Sequence, residues 1–235
     1  MSYGKLYLIP NFLSPDQTGN FIPDFNKTLV KHIKHFVVEN SKPARALIKH
    51  LMLEHKQDEL KLWQLNEHTT DSELPKIIEE ALLNNDCGLI SDAGLPCIAD
   101  PGWQLVWLAH KKNIQVIPLP GASSIFMALM ASGLNGQNFA FNGYIPIDKN
   151  LRSKKIKDME YQILKNNQTQ IFMETPYRNH QLFADLLSTC QPNLKLCIAA
   201  NISSSNEYIK TTTINEWKKA EVNIHKIPTI FILGV

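Results

Sequence analysis

The chain has no apolar run longer than the seven residues from Ile125 to Ala131. A membrane-spanning helix needs roughly 20 such residues, so no membrane partner is expected. It also lacks any Cys-x-x-Cys pair. Four cysteines, Cys87, Cys97, Cys190 and Cys197, are too few in 235 residues for a secreted disulfide framework. Each lies in or near an apolar segment, and all four are read as reduced thiols, buried or half-buried. The segment Met1 to Pro10 has one lysine and too short an apolar run for a signal-peptide core. A cytoplasmic location is therefore expected. Net charge is nearly absent: 24 Lys and Arg against 22 Asp and Glu give +2. That balance neither demands nor excludes nucleic acid and moves the question to where the positive charge sits.

The residues present alternate between short β-like runs and helical stretches. The first half predicts strands at 5–9, 36–39, 60–65, 87–90 and 115–117. Between them, helices are expected from Asp24 to about Lys34, with Asp24 as cap, and over 41–53, 72–84, 102–113 and 122–134. This spacing indicates βαβ units and a largely parallel sheet. The second half predicts strands at 139–144, 170–173, 194–200, 207–213 and 229–233. Helices are expected at 151–166, 178–189 and 215–220. A mixed sheet and a second α/β domain follow, with a boundary that gives domains 1–118 and 119–235.

Two loops carry the chemistry. Ser91-Asp-Ala-Gly-Leu-Pro-Cys-Ile-Ala-Asp-Pro-Gly102 follows a buried strand and precedes a helix, which puts it at the carboxyl edge where open α/β sheets bind ligands. Ala93 and Gly94 let backbone approach a ligand closely. Asp92 suits hydroxyls, an ammonium or a sulfonium and would repel phosphate. The same residues also read as a tight loop whose aspartates cap helices. The second loop, Pro118-Leu-Pro-Gly-Ala-Ser-Ser124, offers Ser123 and Ser124 at a helix start. Taken alone, it reads first as a plain helix cap after a Pro-Gly turn.

In order along the chain stand Asp92-Ala-Gly-Leu-Pro, Ala99-Asp-Pro-Gly, Pro118-Leu-Pro-Gly-Ala-Ser-Ser, Ala131-Ser-Gly-Leu and Phe141-Asn-Gly-Tyr-Ile-Pro. Together these strings resemble the tetrapyrrole-methylase superfamily of S-adenosylmethionine enzymes. Within it, Met173-Glu-Thr-Pro-Tyr-Arg178 resembles the Glu-Ser-Pro-His-Arg segment of the bacterial 16S rRNA cytidine 2′-O-ribose methyltransferases. The resemblance implies a two-lobed α/β fold, S-adenosylmethionine as cofactor in a cleft between the lobes, and a homodimer. It implies cofactor contacts from Leu13, Asp92, Ala93, Gly94, Leu95, Ser123, Ser124, Met173, Ala200 and Thr229. The chain departs from that branch at Pro10-Asn-Phe-Leu13, Glu39-Asn-Ser-Lys-Pro-Ala-Arg45 and Ala200-Asn-Ile-Ser, which leaves cofactor binding better supported than the RNA substrate.

Methyl transfer from a sulfonium is an in-line displacement, so the protein mainly positions donor and acceptor, and no metal is expected. A ribose hydroxyl needs a proton acceptor. Glu39 and Glu174 are the candidates, each at a strand end, and each could instead pair with Arg45 or Arg178. Lys149, Arg152, Lys154, Lys155 and Lys157 could track the phosphates of ribosomal RNA or a small ribosomal subunit, or form a solvated helix face. His32 and His35 have metal-compatible spacing with no third ligand apparent. Trp103 and Trp107, at i and i+4, are expected to pack into the core. Three other readings stay open. They are methylation of a tetrapyrrole or other small molecule, a diphthine-synthase-like protein methylase, and a non-catalytic cofactor-binding paralogue.

Overall fold

A computed structural model describes residues 2–14, 16, 22–51 and 53–235. The chain divides into two compact units, Met1–Ser123 and Ser124–Val235. The boundary expected after residue 118 closes a strand, and the loop that follows stays with the first unit.

The first unit carries β1 (Leu6–Ile9), α1 (Asp24–Val30), β2 (His35–Val38), α2 (Ser41–His50) and β3 (Lys61–Gln64). It continues with α3 (Leu74–Leu82), β4 (Cys87–Ile90), α4 (Trp103–Lys111) and β5 (Val116–Pro118). The strands form one sheet in the order β3-β2-β4-β1-β5, and every pairing is parallel. Parallel sheets are covered on both faces, so their strands read as continuous apolar runs, and β2 and β4 are buried at every residue. Alternate residues serve opposite faces. Ile9, Phe36, Val38 and Ile90 share a core with Val30, Leu47 and Ile48 of α1 and α2. Leu6, Val37, Cys87 and Leu89 share the other with Ile78, Leu82, Leu105 and Ala109 of α3 and α4.

The second unit carries α5 (Ser124–Ser132), β6 (Phe139–Tyr144), α6 (Lys149–Asn166), β7 (Thr169–Met173) and α7 (Asn179–Thr189). It closes with β8 (Lys195–Ala200), β9 (Tyr208–Thr213), α8 (Ile214–Trp217) and β10 (Thr229–Gly234). Its sheet runs β6-β7-β10-β8-β9, parallel only between β6 and β7. Stacked Phe172 and Phe231 centre its core, and Trp217 Nε1 donates to Leu196 O at 2.8 Å. Caps fix two helices: Asp148 accepts from the amides of Asn150 and Leu151, and Thr213 and Glu216 form a capping box on α8.

Three expectations are corrected. Asp24 is not a cap: Pro23 holds that position, Asp24 pairs with Lys27 at 2.9 Å, and α1 stops at Val30. Trp103 and Trp107 are 61% and 57% exposed, because Leu105 and Ala109 form the buried stripe of α4. Arg152 is no part of a solvated face. It is 6% exposed, with Nε 2.5 Å from Asp185 Oδ2 and Nη1 donating to Ile147 O. The four cysteines are free thiols, three buried and Cys97 partly so. Burial holds Cys87 and Cys190 up at about 12 and Cys97 at about 11, which leaves them protonated and unreactive.

Candidate cofactor and active site

Because all five strands of the first unit run parallel, their carboxyl ends share one edge. There the loops after β1 and β4 are tied together. Asn11 N–H donates to Gly94 O at 2.8 Å, and Gly94 N–H donates back to Asn11 O at 3.2 Å. Asn11 Nδ2 also donates to Ser91 O and Asp92 O. Gly94 has φ +67°, and a methyl group placed on it would lie 3.2 Å from Leu13 Cδ2 and 3.8 Å from Ala122 O. The loops after β1, β4 and β5 thus converge on one glycine. Leu13 itself lies in the loop beyond β1, since that strand ends at Ile9. The loop 91–102 holds Cys97 at φ +68° and Ala99 at φ +63°. Such left-handed non-glycine backbone is costly and gathers at ligand sites.

Asp92 faces α2 at this edge. Its Oδ1 accepts the backbone N–H of Asn40 at 3.1 Å and its Oδ2 the Asn40 side-chain amide at 2.7 Å. Asn40 is the N-cap residue of α2, whose own side chain makes no cap. Glu39 Oε2 accepts Asp92 N–H at 3.2 Å. Glu39 therefore does not use Arg45, which donates to Gln57 O instead. Burial raises the Glu39 carboxyl above its usual range, the Asp92 N–H opposes this, and repulsion from Asp92 and Glu67 adds to it. Asp100 completes the cluster. Burial, then repulsion from Glu39 and Asp92, pushes it up to about 7 against a hydrogen bond from Ser91. Left-handed backbone at Cys97 and Ala99 leads into Asp100, a conformation that no propensity scale carries. In the same loop system Ala93 is exposed, Gly94 buried, Leu95 half-buried and Ser123 8% exposed.

In the second unit, Met173 ends β7, Ala200 ends β8 and Thr229 begins β10. Because β10 is antiparallel to both neighbours, these three share one edge of the sheet. Thr229 pairs directly with Ala200, and Ile230 with Met173. Ser124 opens α5, which packs on β8, β9 and β10. Glu174 is 4% exposed and its Oε1 is 2.6 Å from Arg178 Nη2, so the pairing expected from the sequence is formed. The histidines are engaged elsewhere: His32 Nε2 is 3.0 Å from Asp86 Oδ2, and His35 Nδ1 is 2.8 Å from Ala81 O. Among the described residues no group of three or more potential ligands could hold a metal.

The donor set suits a positively charged methyl donor. Three carboxylates and a glycine-centred backbone cradle meet at the ligand edge of a parallel sheet. Sulfonium and ammonium charges are stabilised by such acidic groups, whereas phosphates are repelled. A parallel α/β unit followed by a mixed-sheet unit, with this edge, defines a two-unit α/β protein whose ligand end is acidic. The chain belongs to the Tetrapyrrole (Corrin/Porphyrin) Methylases, whose family model matches residues 30–218. It is an S-adenosylmethionine-dependent methyltransferase. The ribosomal RNA small subunit methyltransferase I of Buchnera aphidicola subsp. Schizaphis graminum is 30% identical over 236 residues, 98% of this chain and 78% of that one. The protein of the same name from Vibrio cholerae is 31% identical over 207 residues, 87% and 69%. The solved uroporphyrin-III C-methyltransferase of Thermus thermophilus complexed with S-adenosylhomocysteine shares the fold. It has a TM-score of 0.56 at 16% identity and covers 98% of this chain and 97% of that one.

Proposed function

We propose that this enzyme methylates a ribose 2′-hydroxyl of small-subunit ribosomal RNA. The observation that carries this reading is the match across 98% of the chain to a relative named for that RNA. The cofactor supplies an activated methyl group, and the protein orients it, excludes water and accepts a proton. Asp92, Ala93, Gly94, Leu95, Leu13 and Ser123 are proposed to hold the cofactor from the first unit. Ser124, Met173, Ala200 and Thr229 are the proposed contacts in the second.

Of the two glutamates, Glu39 is the better proton acceptor. A raised carboxyl beside two further acids is more basic than an ordinary surface carboxylate. The Glu174 carboxylate is already engaged by Arg178. Exposed Lys149, Lys154 and Lys157 on α6 supply phosphate contacts. A homodimer acting in the cytoplasm completes the reading. No helix among the described residues is long and apolar enough to cross a membrane.

The test is transfer of labelled methyl groups to undermethylated small ribosomal subunits, followed by nucleoside analysis. A 2′-O-methylated ribose is expected. A folded protein that binds S-adenosylhomocysteine but labels no ribosomal RNA overturns the substrate, not the cofactor.

A further inference from the structure

Two segments of the second unit meet at one end of its sheet and carry a basic and aromatic surface. The first, residues 174–180, follows β7 and opens α7; the second, residues 223–228, leads into β10. Because β7 and β10 are antiparallel, both segments lie at the sheet edge that carries Met173 and Thr229. They are fastened to each other. Lys226 N–H donates to Pro176 O at 3.0 Å. Asn179, fully buried, donates from Nδ2 to Ile227 O at 2.7 Å and to Ile224 O at 3.3 Å.

The titratable side chains that these segments expose are alike in character. Tyr177 is 71% exposed, and Lys226 Nζ stands 5.6 Å from the centre of its ring, a cation–π contact. The rings of His180 and His225, both exposed, lie 6.0 Å apart. Arg178 is half-buried. The one acid in either segment, Glu174, is 4% exposed and engaged by Arg178. The surface therefore offers cations, N–H donors and an aromatic face, with no exposed carboxylate among its own residues. Proteins that bind single-stranded nucleic acid combine these parts, stacking bases on aromatic rings and tracking phosphates with positive charge. An acidic peptide would use the cations and leave the ring idle, and a duplex hides its base faces.

We propose that this surface docks the single-stranded RNA that carries the methyl acceptor. Tyr177 stacks on one base, and Lys226, His180 and His225 hold the flanking phosphates. The inference rests on the ribosomal RNA reading above. It adds to the α6 lysines a contact that takes a base face as well as charge, at the edge where Met173 and Thr229 are proposed to meet the cofactor.

The full chain is titrated with fluorescein-labelled oligocytidine by fluorescence anisotropy at several salt concentrations, and with S-adenosylhomocysteine by calorimetry. Tyr177→Ala should weaken RNA binding at least about five-fold, whereas Tyr177→Phe, which keeps the ring, should bind as the parent does. Lys226 sits at φ +60°, which asparagine tolerates, so Lys226→Asn keeps the turn. It should lower the slope of log affinity against log salt by about 0.7. All three variants should keep the parent's affinity for S-adenosylhomocysteine. Absence of RNA binding by the parent, variants that bind RNA as the parent does, or a parallel loss of S-adenosylhomocysteine affinity overturns the proposal. So does a loss confined to Lys226→Asn and equal for oligocytidine and polyglutamate, which would mark a general anion surface. Methyl transfer to undermethylated ribosomal subunits by the parent is scored separately. Transfer without any effect of the variants on RNA binding overturns this surface and leaves the substrate standing, whereas absence of transfer overturns the substrate.

Discussion

Asp92 grips Asn40 twice, taking its backbone N–H on one carboxylate oxygen and its side-chain amide on the other. The loop after β4 thereby holds the start of α2. Asp92→Ala should lower stability by about 1 kcal/mol as well as weaken S-adenosylhomocysteine binding. Chemical denaturation and calorimetry on the same preparation check this. Lost affinity with an unchanged denaturation midpoint would mean that the grip on α2 does not matter.

Glu39→Gln keeps the size of the side chain and removes the proposed proton acceptor. Turnover on ribosomal subunits should fall by about 10²-fold or more, with S-adenosylhomocysteine affinity within a few-fold of the parent. Equal losses in both quantities would assign Glu39 to cofactor binding instead.

Asp100 gives stability a distinctive pH dependence. An unfolded aspartate titrates near 3.9, and in the native protein Asp100 is pushed up to about 7. Between these values the native state keeps a proton that the unfolded state has released. Stability therefore falls as pH rises from about 4 to 7. Asp100→Asn should remove part of that slope and be more stable than the parent at pH 8. Urea midpoints at several pH values decide it; parallel curves for the two proteins would refute the assignment.

The buried pair Arg152–Asp185 predicts a dissociation of roles on α6. Arg152→Ala strands a buried carboxylate and should cost about 3–5 kcal/mol. Reversal of Lys149, Lys154 and Lys157 to glutamate should leave the denaturation midpoint nearly unchanged while weakening RNA binding and its salt dependence. RNA binding indifferent to that reversal would move the phosphate track elsewhere.

Pro10 and Gly121 touch so closely that a methyl on Gly121 would lie 2.2 Å from Pro10 Cβ. Gly121→Ala should cost about 1–3 kcal/mol, and adding Pro10→Gly should recover part of it. A neutral Gly121→Ala would show that the loop after β1 yields freely.

Strand periodicity was the most legible feature of the sequence. Cys87–Ile90 and Phe139–Tyr144 fall where their apolar runs place them, because both are bounded by turn residues. Helix ends were less legible. α1 stops at Val30 although helix-compatible residues continue, since Ile33 is drawn into the core with β2 instead. The exposure of Trp103 and Trp107 was hidden because apolar residues occur all round α4, so spacing alone cannot say which stripe faces the sheet. Around the site, the loop motifs pointed to Asp92 and Gly94. Nothing local revealed Asn11, Asn40 or Asn26, whose partners are distant in sequence: Gly94 and Ser91, Asp92, and Pro120. The Glu39–Arg45 pairing was wrong for the same reason. A nearer partner for Glu39, the Asp92 amide, lies 53 residues away along the chain.

The position of β10 has a consequence for how the protein is made. All five strands of the first unit have been synthesised once Pro118 is added, so that sheet can close while the rest of the chain is still growing. The second sheet cannot do this, because β10 lies between β7 and β8. Until Gly234 has emerged, β7 and β8 lack the strand that joins them, and each shows an open edge to the surroundings. Nascent chains should therefore carry a finished first unit and an unfinished second one until late in translation.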